Sequence, residues 1–207
     1  MTKTSPDLTL EESCGGIACG IDEAGRGPLA GPVVAACVYI PEHIKTQAFW
    51  RDVNDSKKLT AKKRMDLFSR IKHYCHFGVG TATPEEIDDL NIHHATLTAM
   101  RRSYDEMLEN YDIRPNHELI DGKFTPKLDC RCQAVIKGDS VSLSIAAASI
   151  IAKVTRDLYM AELHKAFPAY GWERNAGYGT KQHLTAIAEH GITEHHRRSY
   201  APCAQAG

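Results

Sequence analysis

The sequence has no apolar run long enough to cross a bilayer: its longest, such as Ile145 to Ala152, fall well short of the roughly 18 residues a span needs. No basic patch leads into an apolar stretch at the start, so no secretory signal is expected. A disulfide framework is absent too. The seven cysteines, at 14, 19, 37, 75, 130, 132 and 203, are odd in number and irregularly spaced, which fits reduced thiols in the cytoplasm. Cys130 and Cys132 have no second pair at zinc-ligand spacing to complete a structural site. Adjacent histidines at 93–94 and 195–196 do not share a helix face as metal ligands would, and are expected to be solvated or packed. Neither GxxxxGK[ST] nor GxGxxG occurs, which argues against the common nucleotide-binding loops. Internal repeats and low-complexity tracts are also missing. Nor does charge of one sign dominate: 25 Lys and Arg stand against 26 Asp and Glu, so the chain as a whole does not advertise a polyanion partner.

What is present fits one packed domain. The 207 residues are 43% hydrophobic and 25% charged, ordinary for a protein with a core. The charge is unevenly placed. Arg51 to Lys72 carries eight basic residues against three acids, a balance of +5, and Pro84 to Asp112 eight acids against two arginines, a balance of -6. These runs can be read as solvated helix faces or, for the basic one, as a phosphate-binding flank. Two apolar strands, Cys14 to Gly25 and Val33 to Ile40, are joined by a Gly- and Pro-rich turn. A helix over Ala61 to Lys72 is capped by Thr60, and a strand spans Cys75 to Thr83. Thr83-Pro84-Glu85-Glu86 is a capping box opening a short helix, and the helical period of Leu97, Met100, Tyr104, Met107 and Leu108 marks a longer one over His93 to Tyr111. Short strands at Glu118 to Asp121 and Cys132 to Ile136 follow, then a long alanine-rich helix over Val141 to Phe167 and a last one over Thr180 to His190. Residues 1–14 receive no role and are expected to be mobile.

Four acids lie at strand ends or in tight loops: Asp22, Glu23, Asp121 and Asp139. A carboxylate ending an apolar strand is costly to bury without a neutralising cation, and oxygen ligands suit Mg²⁺ or Mn²⁺. Asp121 and Asp139, beside Gly122 and Gly138, read equally well as turn formers. Asp22 and Glu23 raise a geometric problem, because successive strand residues face opposite sides. Both reach one centre only if the strand ends there, and Ala24-Gly25 offers that break. The turn Gly25-Arg26-Gly27-Pro28 beside them lets backbone approach a ligand closely.

Together, GIDEAGRGPLAGPVVAA at Gly20 to Ala36, DSKKLT at 55–60, LIDG at 119–122, KGDS at 137–140, SIAAASIIAKVTRD at 144–157 and the terminal HRRSYAP resemble bacterial ribonuclease HII, the type 2 ribonuclease H family, over about residues 17–202. The resemblance implies an α/β, RNase H-like mixed sheet flanked by helices with a C-terminal helical extension, forming one catalytic domain over 15–203. It implies endonucleolytic cleavage of RNA paired to DNA, and cutting 5′ of single ribonucleotides embedded in duplex DNA, leaving 5′-phosphate and 3′-hydroxyl ends.

Position by position, the family's metal-binding carboxylates fall on Asp22, Glu23, Asp121 and Asp139. They would hold two Mg²⁺ or Mn²⁺ ions about 4 Å apart, which clamp the scissile phosphate, activate water and stabilise the departing 3′-oxygen. The family's glycine-arginine-glycine contact to the ribose 2′-hydroxyl falls on Gly25, Arg26 and Gly27, and its sugar-stacking tyrosine on Tyr178, with Tyr170 the alternative. Lys57 and Asn91 complete the substrate-binding set. The basic segment with Lys57, Lys58, Lys62 and Lys63 would grip the duplex backbone, although Lys62, Lys63 and Arg64 also fit a solubility role. Asp157 ranks below Asp139 as a fourth ligand and is expected on the helix surface or behind the ligands. Lys123-Phe124 departs from the Asn-Arg common in the family. The expected partners are RNA/DNA hybrid and ribonucleotide-containing DNA. Monomer is the default, and the end after Pro202 shows no clamp-binding tail. The rival readings are a non-catalytic nucleic-acid binding module and a nuclease that cuts all-DNA duplex.

Overall fold

The computed structural model describes residues 5–206. Strand β1 (Ala18–Ala24) pairs antiparallel with β2 (Val33–Tyr39), which pairs antiparallel with β3 (His76–Ala82). On its other edge β1 pairs parallel with β4 (His117–Asp121), and β4 with β5 (Arg131–Val135), giving the order β3-β2-β1-β4-β5. The central strand is therefore β1, the strand that carries Asp22 and Glu23.

Helices cover both faces. On one lie α2 (Ala61–Tyr74) and α4 (Leu143–Ala166), packing Leu67, Ile71, Ala147, Ile150 and Ile151 against Ala36 and Val38. On the other lies α3 (Pro84–Asn110), which buries Ala95, Ala99, Met100 and Met107 against Ile21, Ala35 and Ile120. The alanine-rich start of α4 has a packing reason: β1 and α4 meet at Gly20, where a Cβ would collide with the backbone of Ser144 and Ile145. A third cluster joins Leu29 and Ala30 of the glycine-rich turn to Met160, Tyr170, Trp172 and Ile187, seating α5 (Trp172–Asn175), α6 (Lys181–His190) and α7 (Ala201–Ala204) beside the sheet's end.

The expected elements are present with small shifts at their ends. Thr60 and Thr83 cap α2 and α3 through Lys63 N–H and Glu86 N–H, and the capping box is complete. The expected short and long helices after Thr83 run together as α3 across a kink at Asn91, whose backbone is left-handed at φ 65°. Residues 1–4 lie outside the described residues, but from residue 5 on the segment expected to be mobile is docked. Helix α1 (Thr9–Ser13) carries Glu11, whose Oε1 accepts from Ser142 Oγ at 2.7 Å, Ser144 N at 2.8 Å and Ser144 Oγ at 2.7 Å. The unpaired N–H groups and positive dipole end of α4 supply the reason, and Asp7 bridges to Ser142 alongside.

Candidate active site

Strand β1 delivers Asp22 and Glu23 at its carboxyl end. By alternation Asp22 falls on the side of Ala24, facing α4, and Glu23 on the side of Ile21. They nevertheless line one cleft, because the strand stops at Ala24 and Gly25 turns the chain at φ +95°. A Cβ at Gly25 would strike the Arg156 side chain and lie 2.8 Å from Pro32 O, so only glycine fits there. The cleft, about 550 Å³, is also lined by Arg26, Gly27, Lys57, Lys153, Arg156 and Tyr178.

The neighbouring strand β4 ends in Asp121, whose Oδ1 accepts from Gly138 N at 2.6 Å. That contact anchors the short 3-10 turn Gly138–Ser140, which presents Asp139. Ser140 Oγ donates to Asp139 Oδ1 at 3.3 Å and accepts from Lys58 Nζ at 3.0 Å. Asp121 thus forms a turn from the end of its strand, and its charge bears on Asp22.

The four acids feel one another. Burial raises Asp22 well above the ordinary carboxylate range, and the charges of Glu23, Asp121 and Asp139 push the same way. Burial also raises Glu23, with the Arg26 guanidinium at 3.4 Å partly offsetting it. Asp139 is raised by burial, then by Asp55 and Asp121. Burial works against the charge on Lys57, but Asp22, Asp55, Asp139 and Asp121 outweigh it and lift the ammonium above the usual lysine range. A buried carboxylate crowded by like charges is short of cations. The donor set, oxygen atoms only, suits a hard divalent ion, so the residues present fit Mg²⁺ or Mn²⁺.

Two arginines that sequence reasoning passed over build the turn. Arg197, fully buried, donates to Gly31 O, to Arg26 O at 2.9 Å and to Gly25 O at 2.5 Å. Arg156 donates to Pro32 O at 2.9 Å, Ala30 O at 3.0 Å and Ala176 O at 2.8 Å. With its carbonyls held from behind, the turn has a fixed shape on the cleft side. Both arginines sit in the quoted motifs, but a buried arginine paired to carbonyls carries no sequence signal of its own.

Tyr178 is 46% exposed and stands over the turn, its ring 3.7 Å from where a Gly27 Cβ would lie. Tyr170 is buried, donates to Gly191 O at 3.0 Å and stacks on Trp172, outside the cleft. Asp157 pairs with Lys153 at 2.6 Å on the rim. Asn91 is not among the lining residues. Its Oδ1 accepts from His93 N at 2.9 Å and His94 N at 3.2 Å, capping the restarted helix. Of the basic segment, Lys57 lines the cleft, Lys58 braces the Asp139 turn and Lys63 pairs with Asp52 at 2.6 Å.

The sequence profile of the family described as Ribonuclease HII matches residues 19–203. The chain belongs to the ribonuclease HII family. It is 51% identical over 200 residues to the ribonuclease HII of Paramagnetospirillum magneticum, covering 97% of this chain and 98% of that one. It is 47% identical to that of Wolbachia pipientis from Culex pipiens, covering 95% and 96%. Among solved structures it is similar to the ribonuclease HII in a complex with PCNA from Archaeoglobus fulgidus, at TM-score 0.70 and 27% identity over 89% of this chain and 95% of that one. Bst-RNase HIII in complex with Mn²⁺ shares the fold at TM-score 0.72 and 20% identity, over 92% of this chain and 68% of that one. As a ribonuclease HII, the chain is a metal-dependent endoribonuclease acting on RNA/DNA hybrids, built on an RNase H-like mixed sheet. Among the described residues no helix is long and apolar enough to cross a membrane.

Proposed function

We propose that this ribonuclease HII also incises duplex DNA immediately 5′ of a single embedded ribonucleotide, leaving 3′-hydroxyl and 5′-phosphate ends. Asp22, Glu23, Asp121 and Asp139 would hold two Mg²⁺ or Mn²⁺ ions. The observation that carries the reading is Asp22 and Glu23 in the cleft with the charges of Asp121 and Asp139 bearing on Asp22, against a turn whose shape Arg156 and Arg197 fix. When bound, the ions supply charge for the scissile phosphate, an activated water and a stabiliser for the departing 3′-oxygen.

The chain's own residues do the rest. Backbone groups of Gly25 to Gly27 and the Arg26 side chain meet the ribose 2′-hydroxyl, the group that tells RNA from DNA. Tyr178, over Gly27, stacks on the adjoining sugar. Lys57 would place positive charge where the phosphate backbone enters, and Asn91, at the bend of α3 and outside the cleft, would contact the flanking duplex. Residues 15–203 would act as one catalytic unit, a reading supported by Arg156 from α4 and Arg197 from the C-terminal segment gripping the same turn, and the enzyme would work as a monomer in the cytoplasm.

A DNA duplex carrying one ribonucleotide, incubated with Mg²⁺, Mn²⁺ or chelator beside an all-DNA control, tests the reading. Ion-dependent incision 5′ of the ribonucleotide alone is the expected result. Binding without incision overturns it in favour of a binding module, and cutting of the control overturns the 2′-hydroxyl role.

A further inference from the structure

A second set of metal-ligand side chains lies on the other face of the sheet, under α3. Cys19 on β1, Cys37 on β2 and Glu118 on β4 place a sulfur or carboxylate oxygen within 4.8 Å of one another. The sheet register explains why. Cys19 stands opposite Glu118 in the parallel pair, and Cys37 opposite Ile21, one step along the same face of β1. All three residues have no solvent exposure.

This is an expensive place for a carboxylate. Glu118 Oε1 has no hydrogen-bond partner, Oε2 accepts from the Cys37 thiol at 3.6 Å, and the Cys19 sulfur lies within 4.8 Å of the carboxyl. A thiol is a weak donor, and a carboxylate left unpaired in an apolar core is strongly disfavoured. No lysine or arginine is hydrogen-bonded or ion-paired to Glu118 among the described residues. Burial drives both the carboxyl and the thiols toward their neutral forms, Cys19 up to about 12. Cys130, half-buried on the loop into β5, packs against the core cluster that holds Cys19 and Cys37. The spacing rules that dismissed Cys130 and Cys132 could not see this, because the ligands come from three strands far apart in sequence.

We propose that Cys19, Cys37 and Glu118, with Cys130 as the fourth donor, form a closed structural site for a thiophilic divalent cation, zinc in the first instance. Two or three thiolates and a carboxylate in a tetrahedral shell are a zinc donor set, and quite unlike the oxygen-only set at Asp22. On coordination each thiol and the carboxyl give up their protons to solvent, and the cation supplies the partner that Glu118 Oε1 lacks. Because Cys19, Cys37 and Glu118 have no solvent exposure, the ion enters as the chain folds. This proposal stands apart from the ribonuclease reading.

The test unfolds the full chain in guanidinium with a phosphine reductant and refolds it with Zn²⁺ or Co²⁺, then strips loosely held metal on a chelating resin. Retention of one Zn²⁺ per chain is expected. Refolded with Co²⁺, the protein should show intense near-ultraviolet thiolate-to-cobalt absorption and the strong visible bands of tetrahedral coordination, which the carboxylate centre cannot produce. The Cys19→Ala/Cys37→Ala double variant should lose the thiolate band and Cys75→Ala, buried on the opposite face, should keep it. Refolded wild-type protein without a thiolate band overturns the proposal, whatever the variants do. Survival of the band in the double variant overturns it as well.

Discussion

Asp22 and Tyr178 show how much a single side chain's role depends on what surrounds it. Asp22 is buried among like charges at the end of an apolar strand, an arrangement that costs stability unless a cation answers it. Asp22→Asn keeps the shape and removes the charge, so cleavage should fall by at least about a hundredfold. Mg²⁺ is expected to raise the melting temperature of the wild type and not that of the variant, and an unchanged rate would remove Asp22 from the proposed metal site. Tyr178 is exposed above Gly27 while Tyr170 is locked into the core. Tyr178→Ala should therefore raise KM for the ribonucleotide duplex roughly tenfold, the scale of one lost stacking contact, with Tyr178→Phe close to wild type. Steady-state kinetics on the two variants check this. Equal loss in both would mean that the hydroxyl, not the ring face, matters.

At the scale of elements, two joints hold the site's supports. Helix α3 bends at Asn91, which takes a left-handed backbone and caps the second segment with its own side chain. Glycine tolerates that backbone and a β-branched residue does not. Asn91→Gly should cost under about 1 kcal/mol and Asn91→Val about 1–3 kcal/mol in urea unfolding. Similar costs for both would show that the kink is not held by backbone strain. The second joint is α1 on the start of α4. Glu11 there answers two serine hydroxyls and an amide. Glu11→Ala leaves buried donors unpaired and should destabilise the fold by roughly 1–3 kcal/mol, read from the same denaturation curves. No loss would mean that α1 rests on the protein without supporting it.

For the whole molecule, the C-terminal segment braces the Gly25–Gly31 turn through Arg197. Its packing relies on neutral histidines: His183 and His196 meet at 3.1 Å in a buried cluster with Trp172, and His183 Nδ1 reaches Tyr178 O at 3.0 Å. Burial, with His183 and His195 alongside, lowers His196 to about 4. An unfolded chain protonates this histidine near pH 6.5, so it takes up the proton first as pH falls. The stability contributed by neutral His196 is complete above pH ~6.5 and is lost progressively as pH drops toward 4. Urea midpoints measured between pH 4 and 7.5 should rise with pH, and His196→Gln should flatten that rise. A profile unchanged in the variant would assign the slope to other groups.

Local chemistry made much of this protein legible in its sequence. Thr60 and Thr83 announce helix starts because side-chain capping is a matter of adjacent residues, and the apolar strands around the Gly25 turn announce a hairpin. Asp22 and Glu23 could be singled out because carboxylates at the end of an apolar strand are anomalous wherever the strand lies, whereas Asp121 and Asp139, beside glycines, read equally well as turn formers. What one chain order cannot express is which distant residues become neighbours. Arg197 reaching Gly25 O, Glu11 capping α4 and Glu118 meeting Cys19 and Cys37 join residues far apart in sequence. Only closure of the sheet and its helices decides those meetings, because burial and hydrogen bonding reward a contact by distance in space and not along the chain.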